Sequence, residues 1–134
     1  MHLIVCLDDS RGMSFCGRRL SMDALVREDM LRTAGRLYMT PYSAGQFDWE
    51  VCAVEDPLTA TPEECFCFIE NIDPAPFVRK ARSITVYLWN RRYPSDQKFP
   101  ELSGWRCESR REFPGKSHDT ITREVYIPCS EEEK

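Results

Sequence analysis

Ser117-His118-Asp119 sets a hydroxyl, an imidazole and a carboxylate side by side, the side-chain types of an acyl-transfer site. Adjacency in sequence does not create relay geometry, and the chain has no Gly-x-Ser-x-Gly turn to expose a nucleophile. The triplet therefore reads as a loop, which these residue types favour. Asp8-Asp9 closes an apolar run, and strand ends are where ligands sit in open α/β sheets. Metal or phosphoryl chemistry would want an Asp-x-Asp spacing or further acids, so the pair reads as a solvated turn. Arg79, Lys80, Arg82, Arg91 and Arg92, with Trp89 and Tyr93 among them, would suit a phosphate or RNA partner if they gathered at one sheet edge. Acidic residues number 22 against 18 basic ones, for a net charge of −4. That balance favours an ordinary solvated surface and argues against a nucleic-acid partner or an anionic membrane.

The seven cysteines, Cys6, Cys16, Cys52, Cys65, Cys67, Cys107 and Cys129, include no Cys-x-x-Cys pair. His2 and His118, far apart in sequence, are the only imidazoles, so no metal site is expected. The cysteines read as small apolar side chains of a reduced, cytoplasmic protein. The opening apolar run, Leu3 to Leu7, is too short for a signal or membrane-spanning segment.

The 134 residues are enough for one domain with its own core. With 42% apolar and 30% charged residues the chain belongs with globular proteins. Leu3 to Leu7 reads as a strand buried on both faces. Ser21 to Thr33 reads as a helix, with Ser21 as N-cap, Asp23 as a first-turn acid favoured by the helix dipole, and Gly35 as the C-terminal stop. Arg36 to Thr40 reads as a strand stopped by Pro41, and residues 41–46 as a short helix. Val51 to Val54 reads as a weak strand, Cys65 to Ile69 as a third apolar strand, and Asp73 to Ala81 as a helix entered through proline. Ser83 to Trp89 is a strand rich in β-formers. Trp105 to Phe113 and Thr120 to Ile127 form a closing antiparallel hairpin. Strands alternating with helices predict an α/β fold, a mixed and mostly parallel sheet flanked by helices. Residues 1–129 read as one domain and Ser130 to Lys134 as an acidic tail.

Several stretches resemble dihydrofolate reductase. Leu3 to Leu7 followed by Asp9 and Gly12-Met13 is similar to that family's first strand and active-site loop. Gly17-Arg18-Arg19-Leu20 leading to Asp23 is similar to its Gly-Arg-Leu-Pro-Trp stretch and the acid on its first helix. Arg36 to Ser43 resembles its second strand and phosphate-contacting turn. Ser95-Asp96-Gln97-Lys98-Phe99-Pro100, then Trp105, is similar to its Gly-Asp-Thr-x-Phe-Pro…Trp signature, and Glu112-Phe113-Pro114 with Thr122 to Tyr126 to its closing hairpin. The resemblance covers most of the chain. It implies that Asp23 is the carboxylate that binds the pterin ring and helps deliver a proton, its pKa raised by an apolar pocket. Arg18, Tyr42, Ser43 and Asn71 are the ligand-binding positions it implies.

Departures from the family pattern point away from its chemistry. The family's Gly-Gly pair, which lets the backbone approach a cofactor pyrophosphate, is replaced by Glu70-Asn71. Its Gly-Arg-x-Thr turn is replaced by Thr40-Pro41-Tyr42-Ser43, the Leu-Pro-Trp of the substrate loop is absent, and the stretch between Ser43 and Cys65 is short. The strand-end threonine of the family has no counterpart among Tyr87, Leu88 and Trp89. The expectation is a fold kept without a working reductase, with no cofactor. A small molecule or a protein partner would occupy the cleft near Asp23, Arg18 and Tyr42. The alternative is an NADPH-dependent reductase of a folate- or pterin-like substrate.

Overall fold

The computed structural model describes residues 1–48 and 50–129, and the tail assigned to residues 130–134 lies outside the described residues. Four helices and ten strands are present among the described residues. β1 (His2–Leu7) is central in a seven-stranded sheet. It pairs in parallel with β6 (Phe66–Phe68) on one side and β7 (Ser83–Leu88) on the other. Beyond β6 come β4 (Leu37–Met39) and the two-residue edge strand β5 (Cys52–Ala53), both parallel. Beyond β7 come β10 (Ile121–Pro128), antiparallel, and the edge strand β9 (Trp105–Phe113). The mixed, mostly parallel sheet expected from the alternation is present.

Apolar side chains alternating along β1 feed two cores. Leu3, Val5 and Leu7 join Cys67, Ile84, Val86 and Phe77 on one face. Ile4 joins Val26, Met30, Leu37, Phe68 and Tyr87 on the other. The second core is covered by α1 (Ala24–Ala34) and the first by α4 (Ala75–Lys80), which supplies Phe77. α2 (Pro41–Ala44) follows β4, and α3 (Pro57–Ala60), absent from the sequence reading, follows β5. On the β9 side, seven consecutive residues, Arg106 to Glu112, are exposed, so this edge is lined with charge.

Two expectations are corrected. The stretch after β1 is a second sheet and not a bare loop: β2 (Gly12–Phe15) pairs with β3 (Arg18–Arg19) and with β8 (Gln97–Lys98). The β2–β3 turn holds Cys16 at φ 51° and Gly17 at φ 75°, the double left-handed conformation of a tight hairpin. Helix α1 begins later than expected, and its N-cap is Asp23, not Ser21. The basic residues weighed as a patch stay apart, as the charge balance favours: Arg82 precedes β7 and Arg91 follows it, a strand length away, and Arg82 pairs with Glu63.

Candidate functional site

The carboxyl ends of β1, β4, β6 and β7, the N-terminus of α1 and the small sheet carry the candidate residues, and this strand-end region is the candidate cleft. Asp8, directly after β1, is buried and not solvated as expected. It accepts hydrogen bonds from the backbone N–H groups of Ser10, Gly12 and Tyr93 at 2.9, 2.6 and 3.0 Å. Burial alone would raise its pKa; the N–H donors of Tyr93, Gly12 and Ser10 outweigh that and hold it below the usual carboxylate range. A Cβ on Gly12 would meet Asp8 Oδ1 at 2.9 Å and Ser95 Cβ at 2.6 Å, so only glycine fits this approach. Asp8 therefore fastens the loop after β7 to the start of β2. Asp9 is exposed.

Asp23 is 2% exposed and sits at one end of the cleft. Its Oδ1 accepts from the N–H of Leu25 at 2.9 Å, the cap of α1, and from the N–H of Lys116 at 3.0 Å. Its Oδ2 accepts from the N–H of Ser117 and from His118 Nδ1, both at 2.9 Å. Gly115 lets the loop close, because a Cβ there would stand 2.7 Å from Asp23 Oδ2. Burial pushes the Asp23 pKa up, but the Lys116 N–H, His118, the Ser117 N–H and the Leu25 N–H together hold it far below the usual range. The expected raised pKa in an apolar pocket is thus corrected: Asp23 is a saturated, ionised acceptor.

An ionised carboxylate only accepts, so His118 carries its hydrogen on Nδ1. Ser21 Oγ and Tyr93 Oη both lie 3.0 Å from Nε2, which accepts from them in the neutral ring. The imidazole is 4% exposed and stacks on Trp89 with centroids 4.7 Å apart. His118 does lie in a loop, as the triplet reading held, but it belongs to Asp23 and not to its neighbours in sequence. Ser117 is exposed and Asp119 is exposed.

The other end of the cleft is an ion pair. Glu70, just past β6, is 7% exposed. Its carboxylate accepts from Arg19 Nε at 3.1 Å, Ser43 Oγ at 2.8 Å and Gln46 Nε2 at 2.9 Å. Arg19 also donates to the Tyr42 carbonyl at 3.1 Å and lies over the Tyr42 ring at 4.4 Å. Tyr42 Oη accepts from the Arg19 N–H at 3.0 Å. Asn71 donates from Nδ2 to the Gly17 carbonyl at 2.8 Å. The β2–β3 hairpin is thereby tied to the ends of β4 and β6.

Of the residues singled out from sequence, Tyr42, Ser43 and Asn71 are brought together around Arg19 and Glu70, while Asp23 stands at the opposite end with His118. Ser43 is 1% exposed, so it holds Glu70 and does not face the cleft. Arg18 is exposed and lines a cavity of about 260 Å³ with Phe15, Cys16, Arg19, Leu20, Tyr93 and Pro94. Arg19, Gln46, Ser21, Tyr93 and His118 were missed as site members. Their partners lie far off in sequence, 51 residues for Arg19–Glu70 and 95 for Asp23–His118, and no local pattern marks such pairs.

This is an open α/β sheet with a strand-end cleft, and its architecture is that of dihydrofolate reductase. A dihydrofolate reductase from Enterococcus faecalis, solved with NADP(H) and RAB-propyl, superposes with a TM-score of 0.68 over 96% of each chain at 10% identity. No protein-family model matches the chain, and no curated protein matches it. Identity at that level carries the fold alone. The seven cysteines are free; Cys67 is fully buried, Cys65 is partly buried, and Cys16 and Cys107 are exposed. No described helix is long and apolar enough to cross a membrane.

Proposed function

We propose that residues 1–129 form a one-domain binding module on the dihydrofolate reductase fold, cytoplasmic and without a nicotinamide cofactor. The observation that carries this reading is the Glu70 carboxylate, buried under Arg19, Ser43 and Gln46 at the end of β6. In the family resemblance this place belongs to paired glycines that admit a pyrophosphate. Here a diphosphate would have to displace Arg19 from a buried acid, and breaking this pair costs about 2–3 kcal/mol, the low end for a buried pair. The occupant would be a small molecule with an apolar body and an anionic group, held in the cavity between Phe15, Leu20 and Tyr93 with Arg18 as its counter-ion. Tyr42 and Asn71 support the hairpin that forms its wall.

The second reading, an NADPH-dependent reductase of a folate- or pterin-like substrate, is favoured by the fold match to an enzyme solved with NADP(H). One titration separates the two. NADPH at 100 times a dissociation constant would stabilise the protein by about 2.7 kcal/mol. The binding-module reading expects no change in Tm or cofactor fluorescence. A saturable shift with NADPH, or NADPH oxidation with dihydrofolate, would remove it.

A further inference from the structure

The stretch just ahead of α1 and a loop 95 residues beyond Asp23 bring a hydroxyl, an imidazole and a carboxylate into relay order. We propose that Ser21 is a nucleophile, His118 its general base and Asp23 the group that orients the base, so that the cleft cleaves an ester or other activated acyl compound. This rests on the reading of the cleft as a small-molecule site.

Each distance in the relay is within hydrogen-bonding reach: Ser21 Oγ to His118 Nε2 is 3.0 Å, and His118 Nδ1 to Asp23 Oδ2 is 2.9 Å. Asp23 and His118 are buried, whereas Ser21 is only partly covered, so the nucleophile is the most exposed member of the relay. The base is also fixed in orientation, by the Trp89 ring against one face and by Asp23 at Nδ1. Tyr93 lines the cavity of about 260 Å³ beside Leu20. His118 lines a second cavity of about 270 Å³ with Trp89, Asn90 and Thr120. His118 and its partner Tyr93 thus each border a cavity.

In the reaction, Ser21 Oγ bonds to the acyl carbon as its proton passes to His118 Nε2. Tyr93 Oη, released from Nε2 when that nitrogen gains the proton, is a donor for the oxyanion. Collapse breaks the bond to the leaving group, which takes the proton from His118 and leaves an ester on Ser21. Water, deprotonated by the same nitrogen, hydrolyses that ester to a carboxylic acid and restores Ser21.

The probe is an alkyl fluorophosphonate, which loses fluoride on forming a phosphonate ester with an activated serine. The expected result is a single adduct mapped to Ser21 by peptide mass spectrometry, with p-nitrophenyl acetate hydrolysis that the adduct abolishes. Ser21→Ala removes both. His118→Asn keeps a donor toward Asp23 but no base, and slows labelling by about a hundredfold or more. No adduct on the wild-type protein, an adduct elsewhere, or labelling unchanged in His118→Asn overturns the proposal. Ser21→Ala removes only a partly exposed hydroxyl, so it serves as the control should His118→Asn fail to fold. Failure of Ser21 to label leaves the NADPH result, and with it the binding-module reading, untouched.

Discussion

The two ends of the cleft solve the same electrostatic problem with different materials. At the Asp23 end a buried carboxylate is met by three backbone N–H groups, a histidine and, at 3.4 Å, the Ser117 hydroxyl, and among the described residues no lysine or arginine side chain bonds it. At the Glu70 end the acid is met by a guanidinium, a hydroxyl and a side-chain amide. Backbone donors are fixed by the loop that carries them and require glycine at 115 to come close. Side-chain donors can leave. The Asp23 end is accordingly a rigid joint between α1 and the 114–120 loop, and the Glu70 end is a latch on the β2–β3 hairpin.

The largest test of that contrast is Asp23→Ala. It removes the cap of α1 and leaves the N–H groups of Lys116 and Ser117 without acceptors, for an expected loss of about 3–4 kcal/mol in urea denaturation. The same group sets a pH dependence. Its folded pKa is depressed, so its contribution is complete above about pH 4, the ordinary carboxylate range of the unfolded chain. That contribution fades as pH falls toward the lower folded value. Asp23→Asn flattens this acid limb, and Asp8, depressed in the same direction, accounts for what slope remains.

Next in size is Arg19→Met, which strands Glu70 without its cation and is expected to cost about 2–3 kcal/mol, at the low end for a buried pair because the Arg19 side chain is 20% exposed. Glu70→Gln costs less, about 1 kcal/mol, since Arg19 can turn to water. Equal losses for the two variants, measured by urea denaturation, would mean that the latch is held by packing on Tyr42 and not by charge. The smallest effect belongs to Gly17→Ala. Its surroundings are open, so only the left-handed backbone resists, at about 1 kcal/mol. Hydrogen exchange of the hairpin amides would register it before any change in global stability.

The large sheet was legible because each of its central strands is an apolar run that needs no partner to be recognised: Leu3 to Leu7 and Ser83 to Trp89 declare themselves. The small sheet was not, because Gly12–Phe15 and Gln97–Lys98 become strands only by pairing with each other across the chain. Asp23 stood out by its place before a helix, yet its chemistry depends on a loop 95 residues away and came out opposite to the expectation. Glu70 was visible as an acid where glycine was expected. What neutralises it was not, since Arg19 differs in no way from its neighbour Arg18 until the hairpin folds.

The rims of the seven-stranded sheet bear on what kind of partner this molecule can take. One rim, β5, offers only two residues of ladder. The other, β9, offers nine, but Arg106, Glu108, Arg110, Arg111 and Glu112 stand along it, and an incoming peptide would have to strip water from that row to extend the sheet. Strand addition is therefore disfavoured at both borders of the sheet.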